Sequence, residues 1–316
     1  MKMSKITEVA AAVILQPDGR FLLGRRPAGS FYAGYWEFPG GKIEAGETPH
    51  AALVRELEEE LGIHIEQAEP WLVREFVYEH AHVRLYFFRV LRWQGELRDL
   101  QHDALAWQTP GAVNVAPLLP ANAPILSALT LPDFYAITHA GGAAGMGVAA
   151  QIHALKKALD QGLRLLQVRE PALNTAQIDT LLAQAVALCH QYNARLLVNG
   201  DARLARECGA DGLHLPARQL MALPRRPDFP LVAASCHNAT ELAQAVRLGL
   251  DFVVLGSIKT TTSHPGRSGL GWLSCADLLQ GYPLPVYALG GLTGDDLPEA
   301  RRCGAHGIAA IRAAWA

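Results

Sequence analysis

Three glutamates, Glu56, Glu59 and Glu60, fall at i, i+3 and i+4 of one segment. On a helix their carboxylates converge on one side. Like charges so placed repel, at ~0.2–0.5 kcal/mol per pair in an isolated helix. Divalent cations offset that repulsion, because carboxylate oxygens are the hard ligands that Mg2+ or Mn2+ favours. Ions held there can neutralise a diphosphate, polarise its phosphorus and activate a water. The chemistry to expect is hydrolysis of a phosphoric anhydride. A solvated acidic face paired with arginine is the competing reading. Just upstream, Gly40-Gly41 lets the backbone turn tightly and offer a carbonyl to a metal.

The element that must carry these acids is a helix from Thr48 to Leu61, with Pro49 in its first turn and Gly62 as its stop. Ala51, Leu53, Val54, Leu57 and Leu61 supply its apolar face. Around it, Ile6–Leu15 and Phe21–Gly24 read as strands flanking the Pro17-Asp18-Gly19 turn. Trp71–Tyr78 and His82–Trp93 read as two long strands, and a short helix follows Pro120. The stretch from Pro110 to Pro132 is rich in proline and alanine, which places a domain boundary near its end: residues 1–130, then 133–316.

The second part has another rhythm. Apolar runs at Phe134–Ile137, Leu165–Arg169, Leu196–Asn199, Gly212–Leu215, Leu231–Ser235, Phe252–Gly256, Val286–Gly290 and Gly307–Ile311 alternate with helical runs. Such alternation implies a parallel sheet, and eight units imply a (β/α)8 barrel, with an open doubly wound sheet as the alternative. Polar residues gather at the C-terminal ends of the strands, where a barrel keeps its site. They include Gln167, Arg169, Asn199, His214, Ser235, His237 and the run Lys259–His264. Gly290-Gly291 follows strand seven, where backbone N–H groups can bind phosphate.

The chain has 316 residues, half of them hydrophobic and 18% charged, which supports about two domains and excludes general disorder. Its net charge of −2 speaks against a nucleic-acid polymer as partner, though not against a mononucleotide. Cys189, Cys208, Cys236, Cys275 and Cys303 are scattered and odd in number, the pattern of reduced thiols in a cytoplasmic protein. Val9–Leu15 reads as a first strand rather than a cleaved leader, and no run approaches the roughly 20 apolar residues of a membrane span.

Residues 41–63 match the pattern G-x5-E-x7-R-E-U-x-E-E-x-G-U, U being aliphatic, at every fixed position. They resemble the Nudix box. Beyond the box, Arg25-Arg26, Trp36 to Glu44, Arg92 to Glu96, Trp107 and Pro120-Ala121-Asn122 resemble the MutT-type 8-oxo-dGTP diphosphatases in order. The resemblance implies an α/β/α sandwich with a mixed sheet. It implies Mg2+, with Mn2+ able to substitute, held by the Gly40 carbonyl and by Glu56, Glu59 and Glu60. Glu56 would also be a base for the attacking water, and Glu47 and Arg55 a bracing pair. Arg26 would contact the nucleotide phosphate, with Lys42 in the same nucleotide-binding set. Phe38 would pack by the base, with plain core as its alternative. Asn122 would hydrogen-bond the oxidised purine, with a helix N-cap as its alternative. The implied reaction is attack of water on the β-phosphorus of a nucleoside triphosphate, releasing the monophosphate and pyrophosphate. One departure is Gln101, where the family has a metal-linked glutamate; His102 or Asp103 are the substitutes at hand. Tyr78, 15 residues after the box, is a weak pointer to dinucleoside polyphosphates instead.

The second part resembles the thiamine-phosphate synthase and TenI family through Tyr135-Ala-Ile-Thr138, Gln167-Val-Arg169-Glu170, Leu197-Val-Asn199, Gly209 to Leu215, Ser235 to Asn238, Gly256, Gly290-Gly291 and Gly304 to Ile308. This implies that Gln167, Arg169 and Asn199 grip the ligand, and that Gly256, Gly290 and Gly291 cradle its phosphate, a thiamine precursor being the partner. The departures are several. Pro171 stands in place of a lysine, and Gly200 in place of a magnesium aspartate. A second aspartate falls in Pro216-Ala-Arg-Gln219, and Lys259–His264 replaces a proline- and lysine-bearing loop. Without the aspartates, diphosphate-bound Mg2+ loses its protein ligands, so a degenerate synthase is expected. Tautomerase-like proton transfer through His237 needs less; the alternative for His237 is a strand-end histidine satisfied by backbone. Two further readings stand beside the diphosphatase. In one, the barrel is the main thiamine-synthesis catalyst with an accessory Nudix pyrophosphatase. In the other, the barrel is a ligand-binding module or a homodimer support.

Overall fold

In a computed structural model, residues 6–260 and 269–315 are described. The expected loop Lys259–His264 therefore lies outside the described residues from position 261 onward. The chain divides into two compact units. One runs to Leu131 and includes Gly281–Pro283; the other holds the remainder.

The first unit contains strands β1 (Ile6–Ile14), β2 (Phe21–Arg25), β3 (Trp36–Glu37) and β4 (Gly40–Lys42), then helix α1 (Pro49–Leu61). Strands β5 (His64–Val77), β6 (His82–Gln94) and β7 (Ala104–Gln108) follow, and helix α2 (Ala123–Leu129) closes it. A four-stranded sheet has the order β4-β1-β6-β5, with β1 and β6 parallel and the outer pairs antiparallel. A second, antiparallel sheet has the order β3-β2-β7. Alternation along β1 builds two cores. Ala10, Ala12 and Ile14 pack with Ala52, Leu53, Leu57 and Leu61 of α1. Ala11 and Val13 pack on the other side with Ile125 and Ala128 of α2. This is the α/β/α layering with a mixed sheet.

Helix α1 begins and ends where its capping residues dictate. The Thr48 hydroxyl accepts the Ala51 N–H at 3.1 Å, Pro49 opens the first turn, and Gly62 turns left-handed at φ 66°. Its buried face uses Ala52 rather than Ala51, and Val54 is half-buried. Strand β5 starts seven residues before the expected Trp71. Pro70 looks like a breaker, but β5 lies at the sheet edge, where a missing backbone donor is tolerated.

The second unit forms a closed barrel of parallel strands. They are β8 (Phe134–Ile137), β9 (Leu165–Val168), β10 (Arg195–Asn199), β11 (Gly212–Leu215), β12 (Leu231–Cys236), β13 (Phe252–Gly256), β14 (Val286–Leu289) and β15 (Gly307–Ala310). Between them run α3 (Val148–Asp160), α4 (Thr175–Gln191), α5 (Ala202–Glu207), α6 (Ala217–Ala222), α7 (Ala239–Leu248), α8 (Gly271–Leu279) and α9 (Leu297–Arg302). The pairing of β15 with β8 closes the ring and excludes the open sheet. Tyr135, Phe252 and Tyr287 fill the interior, with ring centroids 5.2–5.6 Å apart. Among the described residues no helix is long and apolar enough to cross a membrane.

Leu57 is fully buried between α1 and the sheet. Leu57→Ala should therefore destabilise the protein by ~2–5 kcal/mol, measured by chemical denaturation of the full chain. A loss below ~1 kcal/mol would contradict the α1 packing.

Candidate functional site

The three helix acids do not share one environment. Glu60 is 13% exposed, and its Oε2 accepts the Gly40 N–H at 2.9 Å. Glu56 lies against the next glycine, where a Cβ on Gly41 would come within 2.3 Å of its carboxyl carbon. Only glycine admits the carboxylate so close to β4. Glu59 is 52% exposed, with Oε2 at 3.6 Å from Arg55.

Arg55 organises the approach to the site. It donates to both oxygens of Glu47 at 2.9 and 3.0 Å, to Glu56 Oε1 at 2.8 Å and to the Lys42 carbonyl at 3.0 Å. These bonds tie the loop after β4 to α1, the bracing role expected of the pair. Hydrogen bonds from Arg55 pull the Glu47 carboxyl down to about 2.

A further acid joins them. Glu37, on β3, receives Arg26 Nη1 on both oxygens at 2.7 and 2.6 Å. Burial raises its carboxyl above the ordinary value, against the pull of Arg26. Glu60 is pushed up to about 8, first by burial and then by the charges of Glu37 and Glu56, with the Gly40 N–H opposing. His102 completes the cluster. Its side chain is 3% exposed, with Nε2 at 4.0 Å from Glu60 Oε2. Gly24 makes room for it, since a Cβ there would lie 2.4 Å from the ring. Of the two substitutes for the family's glutamate, His102 is the one beside Glu60. Glu37 sits in the matched Trp36–Glu44 string, but nothing in its spacing pairs it with the helix acids.

Arg26, Glu37, Gly40, Gly41, Lys42, Glu60, Gln101 and His102 line a cleft of about 380 Å³ together with aromatic side chains. Phe38 and Asn122 are not among its lining residues. Phe38 is core, packed against Phe21 and Phe87. Asn122 is buried, with Nδ2 donating to the Trp36 carbonyl at 3.2 Å, and its side chain makes no capping bond to α2. Asn122 thus braces β3 and does not cap α2. Arg26 is also engaged, through Nε to the Phe31 carbonyl at 2.7 Å.

The donor set fits a hard cation. Two half-buried carboxylates stand against the Gly40-Gly41 backbone, and burial, with the charges of Glu37 and Glu56 adding to it, leaves Glu60 a poor anion until positive charge arrives. Among the described residues no three His, Cys, Asp or Glu side chains are already gathered to hold an ion. Arg55 instead engages Glu56 at 2.8 Å and lies 3.6 Å from Glu59.

In the barrel, a buried chain of hydrogen bonds links five side chains. Ser235 and His214 Nε2 are 2.9 Å apart, and His214 Nδ1 and the Tyr135 hydroxyl 3.3 Å. Gln167 Nε2 donates to that hydroxyl at 3.2 Å, and Asn199 Nδ2 donates to Gln167 at 2.8 Å. Burial, with Arg169 nearby, lowers His214 to about 3, so it is a neutral acceptor and donor. Tyr135, His214 and Ser235 were visible as matched residues, but their linkage was not. Arg169 is exposed.

His237 is not part of that chain. It is 57% exposed, with Nδ1 at 2.9 Å from Glu241. Cys236 is buried and its thiol is raised to about 12, so it packs rather than reacts. Gly256 and Gly290 are required by close approach: a Cβ would come 2.6 Å from the Leu289 carbonyl and from Ser257 respectively. Gly291 turns at φ 67° beside Lys259. Gly200 turns at φ 76°, and its carbonyl accepts Gln219 Nε2 at 2.9 Å. Asp201 caps α5 by accepting the Leu204 N–H at 2.9 Å. A neutral amide–carbonyl bond therefore joins the two segments in which the resemblance places aspartates.

The family model described as NUDIX domain matches residues 5–129, and that described as thiamine monophosphate synthase matches residues 134–314. The CTP pyrophosphohydrolase of Escherichia coli is 42% identical over 130 residues, covering 39% of this chain and 91% of that protein. The 8-oxo-dGTP diphosphatase of Escherichia coli is 35% identical over 125 residues, covering 40% and 97%. The thiamine-phosphate synthase of Saccharophagus degradans is 30% identical over 177 residues, covering 53% and 79%.

Glu60 has a folded-state pKa of about 8 against an ordinary 4.5. Its contribution to stability is complete below pH 4.5 and is lost as pH rises through 8. In EDTA, Glu60→Gln should leave the stability near pH 5 almost unchanged and raise it at pH 9, by on the order of a few kcal/mol. Thermal denaturation across that range checks this, and equal effects at both pH values would contradict the buried, crowded carboxylate.

Proposed function

The chain belongs to the NUDIX domain family over residues 5–129 and to the thiamine monophosphate synthase family over residues 134–314, and from that premise we propose that its first unit is a Mg2+-dependent hydrolase of nucleoside triphosphates. The substrates in view are 8-oxo-dGTP and CTP, named for two relatives; the products are the monophosphate and pyrophosphate. The observation that carries the reading is the pair Glu56 and Glu60 held against Gly40-Gly41, with Glu60 and both glycines lining the cleft.

Glu60 and Glu56, with Glu59 once it leaves Arg55 and with the Gly40 carbonyl, would hold the cation. When bound, the cation neutralises the anhydride oxygens and makes water a better nucleophile. The protein's own groups supply the rest. Arg55 occupies Oε1 of Glu56 and leaves Oε2 to take the proton of the attacking water. The water oxygen bonds to the β-phosphorus, and the bond from that phosphorus to the α-phosphate oxygen breaks. Lys42 and the remaining donors of Arg26 orient the phosphates. In the barrel, Gln167, Arg169 and Asn199 would bind a thiamine-precursor phosphate over Gly256, Gly290 and Gly291. Synthase activity is lost, because Gly200 and Gln219 bond each other where a cation would need carboxylates. A second reading rests on Glu241. As acceptor at His237 Nδ1 it leaves Nε2 free for tautomerase-like proton transfer. The surrounding cell compartment is taken to be the cytoplasm, in keeping with five free cysteines.

Incubation with 8-oxo-dGTP, CTP, dGTP, ADP-ribose and thiamine diphosphate in Mg2+ should yield monophosphate and pyrophosphate from the triphosphates. Cleavage of thiamine diphosphate alone would defeat this reading in favour of an accessory role in thiamine synthesis. Glu59→Gln should lower kcat by about 100-fold or more with the fold retained. For the barrel, calorimetry with thiazole phosphate should give the same Kd in EDTA as in Mg2+. A His237→Ala variant with an unchanged tautomerase rate would end the proton-transfer reading.

A further inference from the structure

The cleft has an aromatic rim that the hydrolytic chemistry does not use. Phe31 and His80 stack with centroids 4.3 Å apart and planes 6° from parallel. Tyr78 lies 5.5 Å from His80, and Tyr32 lies 5.4 Å from Tyr78. All four side chains line the same cleft as Glu60 and Lys42. Phe31 is nonetheless 69% exposed, so most of its ring remains available to a ligand. An exposed phenyl ring that is already half of a parallel stack can bury its free face against another flat ring.

The rim is also mechanically joined to the acid cluster. Arg26 donates through Nε to the Phe31 carbonyl at 2.7 Å and through Nη1 to Glu37 at 2.6 and 2.7 Å. The same loop is closed by Gly34 N–H to the Arg26 carbonyl at 2.9 Å and Arg26 N–H to the Tyr35 carbonyl at 2.8 Å. One guanidinium thus sets where the Phe31 backbone stands relative to the acids that would handle phosphate. The buried Asn122 donates through Nδ2 to the Trp36 carbonyl and does not line the cleft.

We propose that Phe31, backed by His80, is the nucleobase platform of this cleft, and that the base is selected by stacking rather than by hydrogen bonds to its edge. Stacking is tolerant because every base has a π face. Pyrimidine and purine triphosphates are therefore both substrates, with kcat/KM values within about 10-fold of each other. The inference rests on the nucleotide-hydrolase reading above and names its specificity-determining residues.

Two measurements test it. In steady-state kinetics with CTP and dGTP, Phe31→Ala and His80→Ala should each raise KM for both by about 10-fold, with kcat within about 3-fold, and Phe31→Tyr should restore KM. Unchanged KM in Phe31→Ala, or a loss confined to one base, would overturn the proposal. In binding, Phe31→Trp fluorescence, read as the difference from the unsubstituted protein, should be quenched by α,β-methylene CTP and α,β-methylene dGTP in Mg2+ and not by inorganic triphosphate. Equal quenching by inorganic triphosphate, or none by either nucleotide, would also overturn it. If no triphosphate is hydrolysed, the parent reading fails, while the fluorescence experiment still reports whether a base stacks on position 31.

Discussion

Carboxylates crowded into a poorly solvated corner are the constraint around which the first unit is organised. Glu37, Glu56 and Glu60 come from β3 and α1; burial raises the cost of charging Glu37 and Glu60, and the charges of Glu37 and Glu56 add to it at Glu60. The protein meets that cost with positive or partially positive groups on every side. Arg26 takes Glu37, Arg55 takes Glu56, and the Gly40 N–H takes Glu60. The remaining deficit falls on Glu60, which keeps its proton to about pH 8. A corner of this kind is poised for added positive charge, because a cation relieves a repulsion already built into the fold.

Gly41 of β4 and Gly24 of β2 serve the same constraint by subtraction. Gly41 lets Glu56 approach the strand, and Gly24 lets His102 reach Glu60. A methyl group at either place would occupy space now filled by a polar side chain. The helix caps of α1 complete the arrangement by setting its first and last turns, and so the direction in which Glu56, Glu59 and Glu60 project.

The barrel solves a different problem. Its interior is filled by aromatic rings, and its polar groups are satisfied in series from Ser235 through His214, Tyr135 and Gln167 to Asn199. Such a chain is neutral throughout, with His214 held uncharged by burial. The neutral Gly200–Gln219 bond has the same character.

Much of this was legible along the chain because it is written in local spacing. The i, i+3, i+4 acids, the caps at Thr48 and Gly62, and the alternation of eight apolar runs depend on periodicities of one helix or one strand. The edge position of β5 was not legible, since Pro70 is a breaker in sequence and harmless at an edge. Nor were the placement of Glu37 and His102 beside Glu60, the withdrawal of Phe38 and Asn122 from the cleft, or the pairing of Gly200 with Gln219. Residue types and their local order determined the kind of chemistry and the two folds. Which acids become neighbours, which ring stays exposed and which carboxyl holds its proton were decided only in three dimensions, because desolvation and long-range packing depend on partners far away in the chain.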